Sequence, residues 1–251
     1  MEYGTMLDRL KKMIEEDPDN INILEEVIDV NLQLKYFKVS VKVKKDLNAD
    51  EVLANMDLLF LETTPKKDKK RLLTQLASVN KVEAYRAIEQ YSKKPDASLK
   101  SWSVLALQES RMLIHALLLD KTPVFISTGL GGKDKKLRYF AVFSSSDLES
   151  PFSELQQSII KGEIEFMADK TKSVIEKLIF YPEFCALTIL IPLQVSVKDV
   201  FGKVVVNCNE FGSFVHNSFM VTNVKCLNEA EIRQLLIEAR ESKSSPQIAE
   251  K

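Results

Sequence analysis

The stretch VEAYRAIEQYSKKPDASLKSWSVLALQESRMLIHALLL, residues 82–119, decides how the chain is read. In its first arm Val82, Ala84, Tyr85, Ala87, Ile88 and Tyr91 recur at the spacing of one helical face. Lys93-Lys94-Pro95-Asp96 then forms a polar turn, because proline biases the residue before it away from helix. From Ala97 to Leu119 the helical pattern resumes, with Leu99, Trp102, Leu105, Ala106, Met112, Leu113, Ala116 and Leu117 on its apolar side. Two helices joined by so short a link are antiparallel neighbours.

Toward the N-terminus, Met6, Leu7, Leu10, Met13 and Ile14 predict a helix that Asp17-Pro18-Asp19 ends. Asp19 or Asn20 caps a second, carrying Ile21, Leu24, Val27, Ile28 and Leu32. Tyr36 to Val43 alternates Phe37, Val39, Val41 and Val43 against Lys38, Ser40, Lys42 and Lys44, which predicts a strand with one basic face. Asn48 or Asp50 starts a helix bearing Val52, Leu53, Met56, Leu59 and Phe60 that stops at Thr63-Thr64-Pro65. The charged run Lys66 to Arg71 opens the next, which carries Leu72, Leu73 and Leu76, so four helices follow one another from Ala49 to Leu119. The sequence Ala84-Tyr85-Arg86-Ala87-Ile88-Glu89, the Pro95-Asp96 turn, Leu99 and the run Ser103 to Arg111 resemble a HEAT-type (armadillo-like) helical repeat. The resemblance covers about one unit, with a degenerate one before it. It implies a protein-binding role and, with fewer units than a solenoid needs to stand alone, a helical bundle capped by the rest of the chain.

After Thr122 the pattern changes. Val124 to Thr128 reads as a strand, Gly129 to Lys136 as a loop and Leu137 to Ser144 as a second strand, together a β-hairpin. Pro151 to Ile160 predicts a short helix and Ile164 to Leu178 a longer one, which Tyr181-Pro182 ends. Ala186 to Val195 is nearly all apolar, as in a central strand. Val197 to Cys208 carries Val200, Val204 and Val205 at helical spacing, although its valines also suit a strand. Phe219 to Val224 reads as a strand, and Asn228 and Glu231 nearly form a capping box before a last helix to Arg240. The expected fold class is α+β: a helical domain over residues 1–121, a mixed α/β layer (β-β-α-β-α-β-α) over 122–241, and a disordered tail over 242–251.

Composition narrows the function classes. The chain of 251 residues is 45% apolar and 28% charged, with a net charge of −1, as in an ordinary globular protein. A dedicated nucleic-acid binder usually carries a clear basic excess, so nucleic acid is an unlikely partner on this count. No apolar run reaches 18 residues and the N-terminus lacks the pattern of a signal peptide, so no membrane attachment is expected. Three widely spaced cysteines fit reduced thiols in the cytoplasm.

Among chemical motifs, Gly129-Leu130-Gly131-Gly132-Lys133 is glycine-rich, but Asp134 and a strand follow where a phosphate loop needs Ser or Thr and a helix. Cys208, His216 and Cys226 fall in one region without metal-ligand spacing, and Ser144 to Ser146 lack a nucleophile elbow. Neither a catalytic set, a metal site nor a cofactor is marked. The run Lys66 to Arg71 reads as a solvated helix start. The function expected is a non-enzymatic cytoplasmic adaptor or scaffold whose partner is another protein. The alternative is a small-molecule or nucleotide-binding enzyme with a site at the sheet edge. Candidate binding residues are Gly131, Gly132 and Lys133 in the glycine loop, Asn209, Glu210 and Phe211 after a helix, and Lys94, Lys100 and Arg111 on the polar face of the helical hairpin. The face of Lys38, Lys42 and Lys44 offers a weaker third idea, contact with RNA.

Overall fold

The structure, a computed structural model, describes residues 17, 20–119 and 123–244. The helix expected over Met6 to Ile14 and the tail beyond residue 244 lie outside the described residues. Helix makes up 54% and strand 17%, with helices gathered in the N-terminal half and an antiparallel sheet in the C-terminal half, so the fold is α+β. The chain divides into two compact units, the first ending at Gly131 and the second beginning at Gly132.

In the first unit β1 (Ile21–Ile23) pairs in parallel with β2 (Val124–Ile126). Ile21, Leu24 and Ile28 are buried, but along extended chain rather than the expected helix. That chain bonds to the end of β2 and to the segment after it: Leu24 donates to the Ile126 carbonyl and Ile28 to that of Gly129. Helix α1 (Val30–Val43) follows, capped by the Asp29 carboxylate, which accepts the Leu32 N–H at 3.0 Å. The strand expected over Tyr36 to Val43 is therefore corrected to helix. The buried line of α1 is Gln33, Tyr36 and Ser40, at i, i+3 and i+7, while Leu34, Phe37 and Val41 are exposed. Its helical period is written in polar residues, which a hydropathy pattern does not register, and tertiary contacts override the low helix propensity of its valines.

Helices α2 (Ala49–Ala54), α3 (Lys66–Ala77), α4 (Val82–Lys93) and α5 (Lys100–Leu119) complete the unit. Leu73, Leu76, Ala84, Ile88, Leu105 and Ala106 form the centre of its core. Asp96 fixes the α4–α5 turn by accepting from the Tyr91 hydroxyl at 2.7 Å and from buried Lys69 at 3.0 Å.

The second unit contains β3 (Gly132–Lys133), β4 (Lys136–Ser144), α6 (Glu154–Thr171), β5 (Val174–Phe180), β6 (Phe184–Pro192), α7 (Val197–Asn209), β7 (Met220–Thr222) and α8 (Glu229–Ser244). The sheet runs β3-β4-β6-β5 with β7 also on β4, and every pairing is antiparallel. From β4 to β7 the chain traces β-α-β-β-α-β, the split-βαβ or ferredoxin-like order. Alternate residues Ala141 and Phe143 of β4 and Cys185, Leu187, Ile189 and Ile191 of β6 meet Ile160, Ile164 and Met167 of α6 and Val200, Phe201 and Val204 of α7.

Three local expectations change. Val124 to Thr128 is not half of a hairpin with β4, because β2 pairs with β1 and the tight turn lies between β3 and β4. Asp134 and Lys135 make that turn, with φ of 49° and 60°, the sense a two-residue hairpin needs. Residues 151–178 form one helix and one strand rather than two helices. Lys172 ends α6 in the left-handed conformation, φ 56°, with no glycine to announce it. A bulge between Ile175 and Lys177 in β5 brings Ile175 and Leu178 to the same core although they stand three apart, which imitates helical spacing. The layer expected as mixed is an antiparallel sheet, because each helix crosses between strands that point the same way and lie apart.

Gly131 has a positive φ of 66°, and a Cβ there meets the Glu25 and Glu26 carbonyl oxygens at 2.5 and 2.6 Å. Gly131→Ala is expected to cost at least about 1–3 kcal/mol from backbone strain alone, lowering the thermal midpoint. The contrasting Gly162→Ala, in open space on α6, is expected to be neutral or to stabilise by about 0.5–1 kcal/mol. Equal midpoints for the two variants would contradict this packing.

Candidate anion-binding groove

Helix α1 is held against α5 by one carboxylate. Glu109 Oε2 accepts the Tyr36 hydroxyl at 2.5 Å, while Oε1 accepts Ser40 Oγ at 2.6 Å and stands 2.6 Å from Lys44 Nζ. Tyr36 and Ser40 lie one turn apart on one face of α1 and Lys44, its C-cap, continues that line, so three side chains converge on one acceptor. Burial, then the nearby Glu109 charge, holds the Tyr36 phenol well above its ordinary pKa, which keeps it a donor.

This anchoring places the basic face of α1 beside α3. A groove of about 600 Å³ is lined by Lys35 and Lys42 of α1, by Lys67, Lys70 and Arg71 of α3, and by Trp102 of α5. Asp46 is the one carboxylate among the described residues that line it. Lys35 and Lys42 stand two turns apart along α1, and Lys67, Lys70 and Arg71 are i, i+3 and i+4 neighbours on α3. Lys70 Nζ lies over the Trp102 ring, 3.8 Å from its centroid, within cation–π range. Burial, and then the charge of Lys35, hold the Lys70 ammonium below its ordinary pKa. Like charges gathered this way are a standing cost that a bound anion relieves.

The run Lys66 to Arg71 is thus more than the solvated helix start that the sequence suggested. Lys69 turns inward to Asp96, Lys70 covers Trp102, and Lys67 and Arg71 reach the groove. On α1, Lys42 joins Lys35 in the groove whereas Lys44 is occupied by Glu109. Lys35 was missed because its groove role depends on α1 being a helix. An i, i+7 lysine pair followed by an i, i+3, i+4 cationic cluster was the signal available.

The candidate residues chosen from sequence do not assemble into one site. Gly131 belongs to the first unit, while Gly132, Lys133, Asn209, Glu210 and Phe211 belong to the second. Carbonyl oxygens crowd Gly131, which is the wrong polarity for an anion cradle, and Gly132 and Lys133 are strand residues paired with Leu137 and Lys136. Asn209 clasps its own loop, donating to the Val215 carbonyl and accepting from the Val215 N–H, both at 2.8 Å. Phe214 is buried edge-on against Phe152, while Phe211 is exposed and Glu210 caps α7. Lys94, Lys100 and Arg111 are exposed at the end of α4, the start of α5 and the middle of α5.

Burial pushes the Cys185 and Cys208 thiols up to about 12, while Cys226 is exposed. Among the described residues no group of His, Cys, Asp and Glu gathers to hold a metal ion. No described helix is long and apolar enough to cross a membrane.

No protein-family model and no curated protein sequence matches the chain. Two solved structures align with part of the chain. A putative transposase from Deinococcus radiodurans R1 is 17% identical over 42% of this chain and 91% of its own, with a TM-score of 0.37. A REP-associated tyrosine transposase bound to a REP hairpin is 11% identical over 41% of this chain and 63% of its own, with a TM-score of 0.33. The expectation of a protein-interaction adaptor, with nucleic acid an unlikely partner, is corrected against these findings. Both of these structures are transposases, one of them bound to a REP hairpin. The reactions of those enzymes stay with them, since likeness at this level carries no activity across.

Two measurements check the geometry. Glu109→Ala strands the buried Tyr36 and Ser40 hydroxyls and is expected to cost about 2–4 kcal/mol. Lys44→Met, at a half-exposed ion pair, is expected to cost under about 1 kcal/mol. Urea unfolding followed through Trp102, the sole tryptophan, reports on this unit, and equal losses would overturn the ranking. A thiol reagent applied to the native protein at pH 8 is expected to modify Cys226 alone at first, with Cys185 and Cys208 reacting only on unfolding.

Proposed function

We propose that the helical unit binds the phosphate backbone of nucleic acid in the groove between α1 and α3. One observation carries this reading: five cationic side chains from two helices line one concavity that holds a single carboxylate. Phosphate neutralisation by Lys and Arg is the sequence-independent part of nucleic-acid affinity, and it needs clustered cations rather than a basic protein. The near-zero net charge therefore does not oppose it, because five cations gather in one groove whatever the total. The REP hairpin in the similar structure is that protein's ligand, and the groove of this chain supports the reading by itself.

The α4–α5 hairpin fits a HEAT-type unit in helix order and in the position of Pro95-Asp96. In this reading it is the framework that presents α3 rather than the binding face itself. A cytoplasmic setting belongs to the same reading and is supported by three free cysteines.

The test is fluorescence anisotropy with a labelled single-stranded 20-mer at several salt concentrations. If about four phosphates are neutralised, log K is expected to fall with log salt at a slope of about −3. The Lys67→Glu/Arg71→Glu double variant is expected to bind at least about tenfold more weakly, with a shallower slope. Lys94→Glu and Lys100→Glu, outside the groove, serve as controls and are expected to leave affinity unchanged. Absence of binding at low salt, or equal losses from groove and control variants, would remove the proposal.

A further inference from the structure

We infer that the groove grips nucleic acid through its phosphates alone and stacks no base. This rests on the nucleic-acid reading above and specifies its mode. Sites that hold single strands by their bases use aromatic rings with a free face. Among the described residues the sole aromatic lining this groove is Trp102, and it offers none.

Three contacts take up the Trp102 side chain. Lys70 Nζ covers the ring at 3.8 Å, and the indole N–H is donated inward, to the Lys70 carbonyl at 3.2 Å and Thr74 Oγ1 at 3.0 Å. Tyr36 packs edge-on against it, with ring centroids 5.0 Å apart. Trp102 is left 2% exposed. A base could stack there only by displacing Lys70, one of the cations that attracts the strand. Trp102 is thus the floor on which the Lys70 ammonium is presented.

The cations themselves suit a backbone and not a base edge. Lys35 and Lys42 are separated by two turns of α1, roughly 10 Å along its axis, so the charge follows a line and not a point. Gln75 is the one amide on the wall able to pair with a base edge. Apart from it, charge supplies the recognition, so affinity depends on phosphate count and salt while sequence and sugar matter little.

The experiment compares three probes on the full chain: a mixed-sequence single-stranded 20-mer, an abasic 20-mer with the same phosphates, and inorganic polyphosphate. The expected result is that the two oligonucleotides bind within about threefold of each other with the same salt slope. They should also change Trp102 emission equally, and Gln75→Ala should leave both affinities in place. A loss of more than about tenfold for the abasic strand, or quenching of Trp102 that requires bases, would overturn the phosphate-only mode while leaving nucleic-acid binding intact. A tenfold loss from Gln75→Ala confined to the base-bearing strand would overturn it in the same way. Binding of polyphosphate but of neither oligonucleotide would instead overturn the nucleic-acid reading, and so would binding of none of the three.

Discussion

The Glu109 carboxylate is the contact on which the basic groove depends. A largely buried charge is tolerated only where hydrogen bonds replace its water, and here Tyr36 and Ser40 of α1 and Lys44 at its C-terminal cap do so. Because the donors are spaced along a helix, the carboxylate fixes the rotation of α1 as well as its position. That rotation turns Lys35 and Lys42 toward α3. If α1 were turned away, Lys35 and Lys42 would leave the concavity, which would lose two of its charges. The groove is thus a surface consequence of an interior polar contact.

The helical hairpin of α4 and α5 was legible in the sequence because its buried positions are apolar and its turn contains proline. Most of the sheet was legible for the same reason: β6 is apolar along nearly its whole length. Helix α1 was not legible. Its interior line is Gln33, Tyr36 and Ser40, and their partners lie far along the chain: the Thr128 carbonyl for Gln33 and Glu109, 69 residues beyond Ser40, for the other two. Strand β5 was hidden differently, by a bulge that gave Ile175 and Leu178 the spacing of a helix. The left-handed Lys172 then removed the glycine that normally signals where α6 ends.

The candidate site followed the same division. Glycine and asparagine clusters drew notice because such residues often frame ligands, yet Gly131 and Asn209 serve the backbone around them. The groove residues are common surface lysines and one arginine, noted in sequence only as parts of two separate basic stretches or, for Lys35, not at all, and they acquire meaning only when two helices bring them together. Whole-chain charge averaged them against acidic residues elsewhere. The expectation of an adaptor came from reading the hairpin as the working surface, whereas the charge is concentrated on the helices beside it.

The parallel pairing of β1 with β2 has a consequence for how the protein is made. Residues near the start of the chain are finished by residues near Gly131: Gln33 donates its amide to the Thr128 carbonyl, 95 positions later. Contacts of such long sequence separation are closed late, after the intervening loop entropy has been overcome. During synthesis the helices from α2 to α5 can pair with one another as they emerge, but α1 has no acceptor until Glu109 has been added, and β1 has no partner until β2 follows. The first unit is therefore completed from its far end, and its earliest residues are among the last to find their places.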